Sequence, residues 1–467
     1  MSGLWRVVAL ASWIMLALRA EGAPLAVDHP WPPDPKLYEP PGREVAPGLR
    51  IGDTLDETNA DLAKEILPPE IHAHYRKGEY RNEIASWPPG IIHWDRSFEE
   101  ATRENETRYD LSGDGTIVER ATGKQPDYVY GIPFPKLEAS DPTAGVKAVW
   151  NHFHNYWNVG GFHYNSLIVW VSPHGKDRES TQDTSFWFYE NQSPLHRLPN
   201  PGRYQWQSVN FSLSPADLQG TAALNYRHLD PGKRDSLWTY VPALRRVRAV
   251  SPSNRSDGFL GSDLSQDDGH FFDAKPQDFT WRTIGLREAF RLSEPYSVRG
   301  ETGPAAYQPD TGGWRSVWTK DAKVAGYLVP GWKGVGWAPT DAVLTRRRFW
   351  VVEAVPKDRY YLYGRIELWI DAESWIGAWN RKFSWTGELL NTYQVNGYLN
   401  APAVREGIPE IEWLWNNEGA WQCAENVKAN RATLAGLRAD PQGLFDRRVK
   451  LDLGRTFDLQ ALSRLGK

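Results

Sequence analysis

Cysteine is all but missing from this chain. Cys423 is the only one in 467 residues, so no intrachain disulfide can form. A single thiol late in a long chain reads as an inert, partly buried side chain. Beyond the N-terminus no segment approaches eighteen uninterrupted apolar residues, which leaves no candidate for a membrane-spanning helix. A strong charge of either sign is absent too: the net charge is −4, which gives no electrostatic case for nucleic acid as the main partner. The local signatures of catalysis are also wanting. There is no Gly-x-Ser-x-Gly elbow, no His-Glu-x-x-His, no phosphate-binding loop and no strand–Gly-x-Gly-x-x-Gly–helix unit. Active sites need not carry local signatures, so these gaps lower the case for an enzyme without closing it.

What the chain has in excess is aromatic rings, with 24 tryptophans, 20 tyrosines and 16 phenylalanines. That density suits broad pleated sheets and equally suits stacking or greasy binding surfaces. The N-terminal "MSGLWRVVALASWIMLALRAEGAPLA" pairs Arg6 with an apolar run over 7–18, too short to span a bilayer and of signal-peptide length. Residues 1–20 are therefore expected to be a leader cleaved after Ala20. No cysteine follows to carry a lipid anchor, so the expectation is a soluble, exported, periplasmic protein.

Residues 21–50 are proline-rich and predict an extended arm. A single domain is expected over 51–467. Polar starters followed by Leu62, Ile66 and Leu67 predict a helix over about 54–67, stopping at Pro68 and Pro69. From about residue 145 the pattern changes to period two, in "NSLIVWV", "TSFWFYE", "TAALNYRHL", "SLWTYVPALRRVRAV", "RRFWVVEAV" and "RIELWIDAES". In the last of these Ile366, Leu368 and Ile370 share one face, and Glu367, Trp369 and Asp371 the other. Strands following one another with no crossover helix imply an antiparallel sheet. Composition predicts a helical segment over about 424–446 and a last short helix capped by Thr456 or Asp458. The fold class is mainly β with α: a large, curved antiparallel sheet with helices near both chain ends.

Two clusters are candidates for chemistry. In "WNHFHNYWNVGGFHY", read as a strand, His152 and His154 share a face with His163 nearby, a weak metal-ligand pattern with no further ligand in view. In residues 237–268, Arg245, Arg246, Arg248 and Arg255 precede Asp257, Asp263, Asp267 and Asp268. Guanidinium forks suit bidentate pairing with carboxylates, so the first reading is a charge network that holds loops or docks a partner. The alternative is metal or acid–base chemistry on the aspartates. Tryptophan clusters (Trp413, Trp415 and Trp421; Trp314, Trp318, Trp332 and Trp337) raise sugar stacking as a third idea. No cofactor is implied.

The stretch "LWTYVPALRRVRAVSPSNRSDGFLGSDLSQDD", with "FTWRTIGLREA" and "WVVEAVPKDRYYLYGRIELWIDAESW", resembles a bacterial envelope family known as domain of unknown function 1329. That family is similar in fold to the LolA/LolB outer-membrane lipoprotein-sorting carriers. "GIPFPKLEASDPTAGVKAVWNH" and "ILPPEIHAHYRKGEY" extend the resemblance from about residue 51 to near the C-terminus. The resemblance implies an incomplete barrel whose concave face, covered by helices, shields an apolar chain. The expected function is then a non-enzymatic carrier of a hydrophobic molecule or lipid, working with an envelope transporter or outer-membrane protein. The alternatives are an exported enzyme on a lipid, sterol or polysaccharide, and a docking subunit of an export complex. Candidate cavity residues on alternating strand faces are Trp238, Tyr240, Trp369, Phe383 and Trp385, although both faces of these strands carry aromatics.

Overall fold

The computed structural model describes residues 36–465 apart from 37, 88–91, 93, 156–159, 195–196, 252–254, 300–304, 316–322, 403–414 and 439–444. The expected leader and most of the proline arm lie outside the described residues. Where the arm enters them it is not merely extended. Glu44–Ala46 and Leu49–Arg50 pair as a small hairpin, and Val45, Ala46 and Leu49 are buried.

Thirteen strands of five residues or more build the antiparallel body of one sheet, and shorter strands add to it, with Asn82–Ala85 pairing in parallel against the start of Val343–Pro356. In the first half are β1 (Gly161–Ser172), β2 (Gly175–Phe188), β3 (Tyr204–Ser212), β4 (Ala222–His228), β5 (Ser236–Val241) and β6 (Arg246–Val250). In the second are β7 (Phe279–Ser293), β8 (Val343–Pro356), β9 (Arg365–Asp371), β10 (Gly377–Phe383), β11 (Leu389–Pro402), β12 (Trp415–Asn426) and β13 (Arg431–Arg438). Each half is a meander of neighbouring strands, and the halves join where β13 pairs with β1. The spatial order is therefore β6-β5-β4-β3-β2-β1-β13-β12-β11-β10-β9-β8-β7. Among the described residues β6 and β7 do not pair with each other, so the sheet is open. Those two strands are nonetheless consecutive in sequence. The connector between them, residues 251–278, must run from one edge of the sheet to the other, and the face it crosses is here called inner.

Both faces are covered, which is why the strands carry rings on both sides. On β9 the inner residues Ile366, Leu368 and Ile370 join a cluster with Leu264, Phe271 and Phe272 of the connector. Trp369, on the outer face, clusters instead with Trp379, Cys423 and Leu434 and with Ile71 and Tyr75 near the N-terminus. The inner cover is completed by a mid-chain helix, α2 (Ala144–Phe153), packed against β7, β8 and β9. Its residues Ala144 to Trp150 are buried apart from Lys147, and a helix apolar nearly all round belongs in a core. Gly145 lets it approach: a Cβ there would meet Thr283 and Val352 at 2.8 and 2.9 Å.

Helix placement departs from expectation in three places. The turn over Ala60–Ile66 is a 3-10 helix, and the α-helix α1 (Pro69–Arg76) begins at the prolines expected to stop one. A proline at the first helical position gives up only an N–H that a helix start leaves unpaired anyway. The described residues of 424–446 are not helical: they finish β12, form β13 and enter the short strand Phe445–Arg447. Pairing with β1 overrides the helical preference of "RATLAGLR" there. The helices near the chain ends also cover the outer face, not the inner one. There α3 (Leu459–Leu465) packs through Leu462 onto Trp187, Leu224 and Tyr240. It starts at Asp458, whose carboxylate accepts from the Ala461 N–H at 3.0 Å.

The connector lies so close to the strands that Gly377 has no room for a side chain. A Cβ there would sit 2.0 Å from the buried Phe271 ring. Gly377→Ala is expected to lower stability by about 1–3 kcal/mol, as overpacking of a closed core does. A denaturation midpoint equal to wild type would mean the connector does not press on β10.

Candidate ligand groove

The connector is held to the sheet by ion pairs that begin and end on different strands. Arg227, at the end of β4, is fully buried. It forks onto Asp235 (2.7 Å) and reaches Asp273 (2.9 Å), with the Trp206 ring 4.9 Å from its guanidinium. Arg255 binds Asp267 at 2.5 Å, Asp235 at 3.1 Å and Asp273 at 3.2 Å. Asp267 also accepts from the Tyr361 hydroxyl at 2.8 Å. Asp268 pairs with the buried ammonium of Lys382 on β10 and accepts the Ser265 N–H at 2.7 Å. Asp263 accepts from Arg431 (3.0 Å) and Asn426 (3.1 Å), tying the connector to β13 and β12. Buried charges need such partners, because desolvation alone would cost several kcal/mol per ion. Burial raises Asp273 to about 6 despite the pull of Arg227 and Arg255. For Asp235, burial likewise opposes ionisation, but the two guanidiniums prevail and hold it below the usual carboxylate range.

Between the connector and the first half of the sheet the cover is incomplete and leaves a groove of about 220 Å³. Its floor is the inner face of β1 to β4: Phe162 and Tyr164, then Thr184 and Phe186, then Trp206 and Ser208, then Ala223 and Asn225. Its roof is Phe259, Leu264 and Gln266 of the connector, with Tyr393 from β11. Phe162 and Phe186 stack with centroids 4.9 Å apart, and Trp206 lies 5.8 Å from Phe186. Among the described residues the charged groups at the wall are Arg255, Asp268 and Asp273, all already paired.

The five aromatics expected to line a cavity are elsewhere. Trp238 and Tyr240 lie on the outer face, under Phe457 and Leu462. Trp369 is on the outer face, its indole N–H donating to Glu367 at 2.8 Å. Phe383 is also there, its ring 3.6 Å from the Arg365 guanidinium. Trp385 is half-exposed beyond the end of β10, beneath Arg359. Alternation alone gives two faces without saying which one the chain crosses, and the rings are on both.

The charged candidates divide. Arg255, Asp263, Asp267 and Asp268 enter the network, whereas Arg245, Arg246, Arg248 and Asp257 are exposed with no ion pair among the described residues. Their places are taken by Arg227, Asp235, Asp273, Lys382 and Arg431, which are distant in sequence or stand inside ordinary strand patterns. The histidines do not share one strand: His152 is in the last turn of α2, His154 follows its end, and His163 is on β1. His152 faces the Trp375 carbonyl, His154 hydrogen-bonds the Trp150 carbonyl, and His163 meets Asp183 at 3.0 Å. Among the described residues no three potential metal ligands come together. Trp314 and Trp337 are buried and offer no open platform for a sugar, Trp421 is buried at the edge of the groove, and Trp318 and Trp413 lie outside the described residues. The groove did leave a trace in the sequence. On β2 the inner positions read Ser180, Gln182, Thr184, Phe186 and Phe188, a polar-to-aromatic gradient unlike a packed core.

Residues 54–463 match the model of a family described as "Protein of unknown function (DUF1329)". No curated protein matches the chain. Similar solved structures include a putative outer membrane lipoprotein-sorting protein domain from Vibrio parahaemolyticus (14% identity, TM-score 0.40, 65% of this chain and 92% of that one). A DUF1329 family protein from Desulfovibrio piger is similar at 14% identity and TM-score 0.38, over 65% of this chain and 91% of that one. A LolA superfamily protein from Nitrosomonas europaea matches at 13% identity and TM-score 0.35, over the same shares. No helix among the described residues is long and apolar enough to cross a membrane.

Proposed function

This chain belongs to the DUF1329 family, and from that premise we propose that it is a non-enzymatic carrier that shelters an apolar molecule in the cell envelope. The observation that carries this reading is the aromatic groove between the connector and β1 to β4. Rings on floor and roof make the surface open to the groove mainly apolar, with Asn225, Ser265 and Gln266 among a set of polar groups at its wall, which is the usual make-up of a site for a greasy ligand. Burial of each methylene contributes about 0.8 kcal/mol, so such a groove retains an acyl chain or terpenoid without catalytic help. The apolar run before residue 21 supports export to the periplasm. An enzyme using Asp263, Asp267 or Asp268 would first have to break their pairs with Arg431, Arg255 or Lys382.

Native mass spectrometry of the protein, exported with its own leader and purified without detergent, tests the proposal. The expected result is an excess mass that organic solvent removes. Ala223→Trp, which fills the groove floor, is expected to abolish that mass while the protein stays folded by circular dichroism. A bare polypeptide mass, persisting after incubation with lipid extracts, would end the carrier reading.

A further inference from the structure

The groove has two unlike ends. On the inner face of β4, Arg227, Asn225 and Ala223 succeed one another at two-residue steps, and the cross-strand register carries each row outward. Asn225 pairs with Leu237 of β5, and Leu237 with Val250 of β6; Ala223 pairs with Thr239, and Thr239 with Arg248. Arg248 therefore shares a row and a face with Ala223, Asn210 and Thr184, all of which line the groove. Arg246, opposite Val241, lies one step farther along the same face, about 20 Å from the Arg227 row at about 3.3 Å per residue. Val247, between them, points the other way into the outer cluster beneath α3, which fixes the alternation.

At the Arg227 end four carboxylates, Asp235, Asp267, Asp268 and Asp273, stand among the cations Arg227, Arg255, Lys382 and Lys275, so the charges there already offset one another. An anion gains nothing there. At the β6 end Arg246 and Arg248 are exposed on an edge strand, with Arg245 beside them in the turn, and none of the three has an ion-pair partner among the described residues. Such unpaired guanidiniums stand out in a chain whose net charge is −4. Planar forks of this kind match the geometry of carboxylate and phosphate oxygens.

We propose that the groove takes single-chain amphiphiles with an anionic headgroup, the apolar tail lying under the connector on Phe162, Phe186 and Trp206, and the carboxylate or phosphate meeting Arg246 and Arg248 at the β6 edge. This rests on the carrier reading and adds a ligand class and a direction of entry. From β1 to β6 there are five inter-strand spacings of about 4.8 Å, or about 24 Å, the span of a long-chain acyl group.

The test compares three ligands of one chain length by titration calorimetry: oleate, oleoyl lysophosphatidic acid and oleyl alcohol. The wild type is expected to bind both anions at least tenfold tighter than the alcohol, with the preference shrinking at high salt. Arg246→Gln/Arg248→Gln is expected to erase that preference while leaving the affinity for the alcohol within twofold. Preference for only one anion would identify the headgroup as carboxylate or as phosphate monoester. Equal binding of acid and alcohol by the wild type, or an intact preference in the double variant, would overturn the arginine site while leaving the carrier standing. Binding of none of the three would overturn both.

Discussion

Arg255→Met is expected to lower stability by about 3–5 kcal/mol, the loss typical when one partner of a buried ion pair is removed. The guanidinium touches Asp235, Asp267 and Asp273 at 3.2 Å or less, and its side chain is only 11% exposed. Methionine fills much of the same volume, so the cost is electrostatic: Asp267 keeps only the Tyr361 hydroxyl, and Arg227 is left to serve both other carboxylates. Lysine at the same position is expected to recover part of the loss, since one ammonium cannot fork to three carboxylates. The control is Arg246→Ala, which removes an exposed, unpaired arginine and is expected to stay within about 0.5 kcal/mol of wild type. Thermal melts of the three variants decide the matter. An Arg255→Met protein melting with wild type would mean that the connector is held by its apolar anchors alone.

That contrast bears on how this charge-rich stretch is built. Arg245, Arg246, Arg248 and Arg255 are near neighbours in sequence, yet one is sunk in the network, two are on an edge strand and one is in the turn before it. Charge pattern alone shows guanidiniums close to carboxylates. It does not show that the chain leaves the sheet after β6 and crosses it before β7, and that crossing puts Arg255 with aspartates while leaving Arg246 and Arg248 behind.

Much of the sheet was legible, because strand periodicity is a local property. The two faces of β9 follow directly from Ile366, Leu368 and Ile370 alternating with Glu367, Trp369 and Asp371. The cap at Asp458 was legible for the same reason. The groove was not plain, since its floor, β1 to β4, alternates like the rest of the sheet, while its roof comes from a connector without regular periodicity and from Tyr393, far along the chain. Trp238 and Trp369 look like cavity residues by type. What moves them off the cavity is the cover supplied to the outer face by α3 and by the N-terminal helices. The segment 424–446 misled for a complementary reason: alanine and leucine favour helices in isolation, but β13 is the strand that joins the two halves of the sheet, and that pairing prevails.

His74 should make the protein's stability fall as the solution turns alkaline. Its ring lies between two carboxylates, Nδ1 2.7 Å from Glu79 and Nε2 2.9 Å from Glu425, and stacks on Tyr80 at 4.4 Å. Burial works against the imidazolium, but the hydrogen bonds to Glu425 and Glu79 outweigh it and raise His74 to about 9. A histidine whose folded pKa exceeds its unfolded one, about 6.5, binds the extra proton only in the native state. Its contribution is therefore whole below about pH 6.5 and is lost as pH rises through about 9. At about 1.4 kcal/mol per pKa unit, the shift corresponds to about 3 kcal/mol. Lys275 acts in the opposite sense, because burial lowers it to about 8, so stability from that group rises between about 8 and its unfolded value of 10.5. The comparison with His74→Gln separates the two, since Lys275 is common to both proteins. The wild type is expected to exceed the variant by about 3 kcal/mol at pH 6 and by much less at pH 10 in denaturant titrations. A gap that does not change with pH would mean that His74 is neutral in the folded protein, and that α1 is joined to β12 by packing and neutral hydrogen bonds alone.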